Sequence, residues 1–200
     1  ALASFSNRGV TSVDLAAPGV NIYSTVPARF QAFSDSIPSL ANWTATAPWE
    51  LSSTSYSSPY SAADSPAGNY SNGANTSLSL TTPINLTGRR GAVLEYRLRL
   101  DTESGYDHLC VEASNGISWT QLNCYSGTTS GSFYPMEEDL AAYDGQPTVY
   151  VRFRLQSDAS VTYDGAYIDD VKVTTYSATY SGTEYKYLNG TSMASPHVAG

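Results

Sequence analysis

Residues 92–100 read AVLEYRLRL. Leu94, Tyr96, Leu98 and Leu100 recur at every second position, and Glu95, Arg97 and Arg99 fill the positions between them. A period of two puts the apolar set on one face of an extended chain and the charges on the other, whereas a helix would scatter both sets around its axis. The pattern returns at 148–155, where Val149, Val151, Phe153 and Leu155 alternate with Tyr150, Arg152 and Arg154. Further short runs at 30–35, 43–46, 77–81, 107–114, 118–125 and 166–173 read as strands bounded by turn residues. Residues 140–143 make at most one turn of helix or 3-10, closed by Asp144-Gly145. Residues 52–75 are rich in Ser, Pro, Gly, Asn and Tyr without a period, and predict a loop that stays ordered only if something pins it. Eight or nine short strands with no long helix predict an all-β fold, an antiparallel β-sandwich of the jelly-roll kind.

Composition narrows the functional classes. Tyr occurs 16 times, whereas Lys172 and Lys186 are the only lysines, and the net charge is −8. That balance excludes a nucleic-acid partner, which needs a basic surface. No apolar run approaches the length of a membrane span. Hard oxygen ligands are plentiful, so calcium is compatible. Asp35 lies near the first strand of the sandwich, and Asp169 and Asp170 lie in the last. First and last strands of a jelly roll commonly neighbour one another, so these three carboxylates are candidates for a structural calcium site. The alternative is that they cap turns in solvent. Strand parity points Asp169 toward the core, with Val171 and Val173, and Asp170 away from it.

Cys110 and Cys124 flank a hairpin turn at Asn115-Gly116. Paired, they would indicate an oxidising, extracellular setting; unpaired, they are two buried thiols. Parity places Cys110 outward, opposite in face to Leu109, Val111 and Ala113, and Cys124 inward with Leu122. Pairing therefore requires a bulge. Trp43, Trp49 and Trp119 would form a platform for sugar or peptide only if they shared a face. Nothing in the sequence places them so, and core packing is the expectation.

Residues 190–200 read GTSMASPHVAG. This stretch resembles the nucleophile motif of the subtilisin-like serine proteases, and the resemblance implies that Ser192 is the catalytic serine. The chemistry agrees, because a Gly-Thr-Ser turn entering a helix of small residues sets a hydroxyl among free backbone N–H groups that favour an oxyanion. His197 follows Ser192 by five residues, about 500° of helical rotation, so the two side chains would diverge. His108 lies far away in the sequence and reads as a surface or core histidine. Residues 1–27, with ASFS, VDLAAPGV and IYSTVP, are similar to the segment that stands shortly before the serine motif in the same family. Here about 160 residues separate the two stretches.

An inserted domain explains the separation. The expected organisation is a flank from the catalytic domain at 1–27, an inserted jelly-roll sandwich at 28–185, and a second flank with the serine motif at 186–200. The flanks would be short segments of a subtilisin-like α/β catalytic domain. Residues 33–35, 101–107, 111–119 and 163–173 are similar to jelly-roll modules of secreted bacterial peptidases, which are related to MAM and carbohydrate-binding sandwiches. The family's catalytic Asp and His, and its oxyanion-hole Asn, have no matching motif in the chain, and Asp14 belongs to VDLAAPG. The resemblance thus implies part of a secreted serine endopeptidase that cleaves protein or peptide substrates, inert on its own. The insert would assist substrate access, docking or stability. The alternative is a non-catalytic module that binds carbohydrate, a cell surface or protein.

Overall fold

A computed structural model describes residues 29–179, and the backbone of 22–25 and 185–188. The chain divides into two compact units, one of them residues 29–178 and the other drawn from 1–28 and 179–200. In the second of these, β1 (Ile22–Thr25) and β13 (Tyr185–Leu188) form an antiparallel ribbon, with Ile22 opposite Leu188 and Thr25 opposite Tyr185.

Residues 29–178 are an antiparallel sandwich of eleven strands. One sheet follows the order β10 (Tyr134–Asp139), β7 (Arg89–Asp101), β12 (Gly165–Ser177), β5 (Ser61–Ala63), β4 (Glu50–Ser52), and β2 (Arg29–Asp35) also pairs with β12. The other runs β3 (Trp43–Ala45), β6 (Asn75–Leu80), β11 (Tyr150–Gln156), β8 (His108–Ser114), β9 (Trp119–Tyr125). The alternation read from the sequence is the alternation of burial. Leu94, Leu98 and Leu100 of β7 meet Val151 and Phe153 of β11 in one apolar core, while Arg97, Arg99, Arg152 and Arg154 face outward. Trp43 and Trp49 are buried in that core, as expected. A 3-10 turn at Ala141–Tyr143 closes on the core through Tyr143.

Three strands escape the sequence reading for physical reasons. β4 and β5 are three residues long, too short to show a period, and Ser61, Ala62 and Ala63 are buried on both sides. β10 carries Pro135 and three acidic residues, a composition suited to a sheet edge, and it pairs only with β7.

The hairpin of β8 and β9 resolves the cysteine parity. Val111 stands opposite Asn123 but Glu112 stands opposite Gln121, so Leu122 is the extra residue of a bulge. Beyond that bulge Cys124 faces Cys110 directly, and the two form a disulfide. Residues 52–75 are pinned along their length. Tyr70 donates its N–H to the carbonyl of Tyr163 and its hydroxyl to Asp107, and Asn69 reaches the carbonyl of Thr162.

Candidate functional site

β12 is thirteen residues long, and its partner on one side changes part-way. Through Ile168 it pairs with β5; from Val171 onward it pairs with β2, with Val171 opposite Asp35. The register against β7 shifts over the same step, between Asp169 and Lys172. Asp170 takes a left-handed backbone there, with φ of 48°. A bulge of this kind re-aims side chains and costs a non-glycine residue some strain.

The gap between β5 and β2 admits the loop that follows β4. Asp169 is fully buried, and its Oδ2 accepts the backbone N–H groups of Tyr56 and Ser57 at 2.8 and 2.9 Å. Its Oδ1 accepts the N–H of Asp170. Burial pushes the Asp169 carboxyl above its ordinary value, and those donors pull it back. Asp170 turns its Oδ2 to the Ser57 hydroxyl at 2.8 Å. The loop thereby sets Tyr56 beside Arg97, whose guanidinium lies 4.3 Å from the ring centre, and near Phe133. Tyr56 is 52% exposed.

On the outer face of the six-stranded sheet, Arg97 and Asp170 border a cleft of about 400 Å³. Arg29 and Ser34 of β2, Glu95 and Arg97 of β7, Glu137 of β10, and Asp170 and Lys172 of β12 line it. Glu95 is an ionic hub. It binds Arg29, Lys172 at 2.5 Å, and the Thr174 hydroxyl at 3.2 Å. Burial opposes its ionisation, but Lys172 and Arg29 together outweigh burial and hold its carboxyl below the ordinary value. Glu137 stands directly opposite Glu95 across the strands and has no hydrogen bond or ion pair among the described residues. The arrangement offers one bare carboxylate, Glu137, and a half-engaged one, Asp170, next to fixed cations, with the exposed Tyr56 ring beside Arg97.

The sequence reading named Asp35, Asp169 and Asp170 as calcium ligands. The first and last strands of the sandwich do neighbour one another, but the three carboxylates do not form a ligand set. Asp35 Oδ1 accepts the N–H of Ile37, and its Oδ2 accepts Asn42 Nδ2 at 2.9 Å and Trp43 Nε1 at 3.0 Å. N–H donors already occupy both oxygens of Asp35 and of Asp169. Among the described residues, the trio whose carboxylate oxygens all lie within 4.8 Å of one another is Glu103, Asp107 and Asp158. Asp107 is itself occupied by the Tyr70 hydroxyl and the N–H of Asp158.

Sequence reasoning missed Tyr56, Glu95, Arg97, Glu137 and Lys172 as a group. The outward parity of Glu95 and Arg97 was visible, but their partners come from β10, β12 and a loop that sequence spacing does not join. Of the other candidates, His108 Nδ1 lies 3.1 Å from the carbonyl oxygen of Tyr106, with no nucleophile among its hydrogen-bond partners. Trp119 stands on the opposite sheet beneath Arg152, so the three tryptophans share no face. Ser192 and His197 lie outside the described residues.

The sequence profile of the Subtilase family matches residues 65–200. Bacillopeptidase F of Bacillus subtilis is 37% identical over 113 residues, 56% of this chain but only 8% of that protein. The chain thus spans a small fraction of the relative it matches. The CBM22-1 xylan-binding domain of a Paenibacillus barcinonensis protein superposes on 78% of this chain and 99% of that domain, with a TM-score of 0.51 at 16% identity. The K3 cleaved adhesin domain of Lys-gingipain from Porphyromonas gingivalis covers 74% and 99%, with a TM-score of 0.51 at 18% identity. These two likenesses show a shared β-sandwich fold.

Proposed function

The chain belongs to the subtilase family, and from that premise we propose that it is part of a secreted subtilisin-like serine endopeptidase. The observation that carries the reading is the extent of the family match, which runs from within the sandwich to the end of the GTSMASPHVAG stretch. In this reading Ser192 attacks the scissile carbonyl and forms an acyl-enzyme. A histidine base must take its proton, and an aspartate must orient that base. Those two residues, and the amide that completes the oxyanion hole, come from polypeptide outside these 200 residues. The 200-residue chain alone is therefore inert. The Cys110–Cys124 disulfide supports an oxidising, extracellular setting.

The sandwich docks substrate for this reaction. Two features support that role. It carries an open polar cleft, and the chain returns from it through β13, whose last residue, Leu188, precedes Ser192 by four positions. A non-catalytic binding module is the rival reading, and the same cleft favours it.

Two experiments separate these readings. A fluorophosphonate probe should leave the 200-residue chain unlabelled and label the longer polypeptide at Ser192, with Ser192→Ala abolishing the label. Labelling that survives Ser192→Ala would remove Ser192 from the mechanism. Replacing residues 29–178 with a short glycine-serine turn in the longer enzyme should preserve hydrolysis of small peptides and lose cleavage of large substrates. Unchanged cleavage of both would remove the docking role.

A further inference from the structure

We propose that the cleft on the outer face of the six-stranded sheet binds a neutral oligosaccharide chain. This rests on the docking role above and names the chemistry that is docked.

Placement comes first. β7 and β12 form the floor, and both are hydrogen-bonded on two sides within the sheet. Their backbone groups are spent on the ladder. A ligand here is held by side chains, not by adding a strand, which is how extended peptides commonly engage a sheet.

Two features of the cleft break local rules of stability. Glu137 faces Glu95 directly across the strands, a like-charge pair that disfavours folding. Glu95 is neutralised by Arg29 and Lys172, whereas Glu137 is left bare among the described residues. Asp170 holds a left-handed conformation that a side chain resists, and it lines the cleft with only its Oδ2 engaged, by the Ser57 hydroxyl. Local rules broken in this way are expected at functional sites.

The ligand class follows from what the side chains leave free. Arg29 and Lys172 are committed to Glu95, and Arg97 lies against the Tyr56 ring. Cations and carboxylates interleave over four strands, so a ligand of one charge would meet repulsion at every second group. A sugar hydroxyl both donates and accepts. It donates to Glu137 and to the unshared oxygen of Asp170 and accepts from Arg97, and each bond is charge-assisted. The exposed Tyr56 ring beside Arg97 supplies an apolar surface for the C–H face of a pyranose. A cleft of about 400 Å³ is of ordinary ligand-binding size.

The test titrates the full 200-residue chain with cellohexaose, xylohexaose and mannohexaose, and in parallel with oligogalacturonate, heparin oligosaccharide and a lysine-rich peptide. We expect saturable binding of at least one neutral hexasaccharide that changes little between low and high salt. Glu137→Ala should weaken it about tenfold and Tyr56→Ala about three- to tenfold. Trp119→Ala, on the opposite face, should leave it unchanged. A cooperative thermal transition with a midpoint close to or above that of the unaltered chain shows that the variants fold. No binding of any neutral hexasaccharide overturns the proposal. So does binding that Glu137→Ala and Tyr56→Ala leave intact, or binding confined to a charged probe. The docking role fails separately. If excising 29–178 still costs large-substrate cleavage while no glycan binds, docking stands and the glycan falls. If glycan binds and excision costs nothing, the reverse holds.

Discussion

The two outer faces of the sandwich each carry a glutamate between two cations, and only one of the two sites is closed. On the five-stranded sheet, Glu112 is buried between Arg152 and Arg154, with Arg154 Nη2 at 2.7 Å, and Arg152 lies over the Trp119 ring. All of its charges find partners. On the six-stranded sheet, Glu95 is held equally firmly by Arg29 and Lys172, yet Glu137 opposite it is bare and Asp170 is strained. The first face is finished as structure. The second leaves interactions unmade, and that difference locates the binding surface better than any count of charged residues.

The largest expected effect tests whether the open face is built or accidental. Asp169→Ala removes the acceptor of three backbone N–H groups, those of Tyr56, Ser57 and Asp170. It should cost about 3 kcal/mol in urea unfolding and release Tyr56, abolishing the response to neutral sugars. A loss of stability with glycan binding intact would show that the loop does not shape the cleft. Glu112→Ala should cost about 2 kcal/mol by leaving two half-buried arginines unpaired, with no effect on binding.

Acid and base sharpen the contrast further. Burial opposes ionisation of Glu112, but Arg154 and Arg152 outweigh it, so its carboxyl titrates below the ordinary value. Its stabilisation is present above the unfolded value and is lost as pH falls through the folded one. Asp64, at the end of β5 on the other sheet, behaves oppositely. It is buried against Gly165, where a side chain would collide with its carboxylate. Burial raises it to about 6, against the pull of the Ala166 N–H and the Ser65 hydroxyl. The folded chain keeps a proton that the unfolded chain has released, so this contribution is complete below the unfolded value and disappears as pH rises through about 6. Urea unfolding at pH ~4.5 and ~7 should show roughly 2 kcal/mol of this kind, absent in Asp64→Asn. Glu112→Gln should instead remove a loss confined to more acidic solution. The smallest effect is the most pointed. Glu137→Gln removes the like-charge pair and should stabilise the fold by about 0.5 kcal/mol, while weakening glycan binding. A variant that gains stability and loses function marks a residue retained for what it binds.

Much of the sandwich was legible in the sequence because β7 and β11 bury every second residue, and burial then follows from spacing alone. The Cys110–Cys124 bond was not, because a single extra residue at Leu122 reverses the parity on which such a reading depends. Asp169 is buried but not toward the core: the bulge after it reverses the parity, so it shares the outer face of Arg97 rather than that of Val171 and Val173, and loop amides more than a hundred residues away cover it where a cation was expected. The cleft was hidden for a related reason. Glu137 lies on an acidic, proline-bearing edge strand that resembles a loop, and Tyr56 reaches its place only through the bulge in β12. Single-strand rhythm carries the layers; contacts between distant strands carry the site.

The ribbon of β1 and β13 has a consequence for the order in which the chain acquires structure. Ile22 and Leu188 are partners across more than 160 residues, so forming the ribbon from an open chain closes a very long loop. In the folded sandwich, however, Arg29 already stands opposite Tyr176. What remains to be closed is then about a dozen residues, and the saving is about 2 kcal/mol of chain entropy. Once folded, the sandwich acts as its own assembly clamp, since it holds the two ends of its 150 residues together and the polypeptide on either side meets them as if they were a turn.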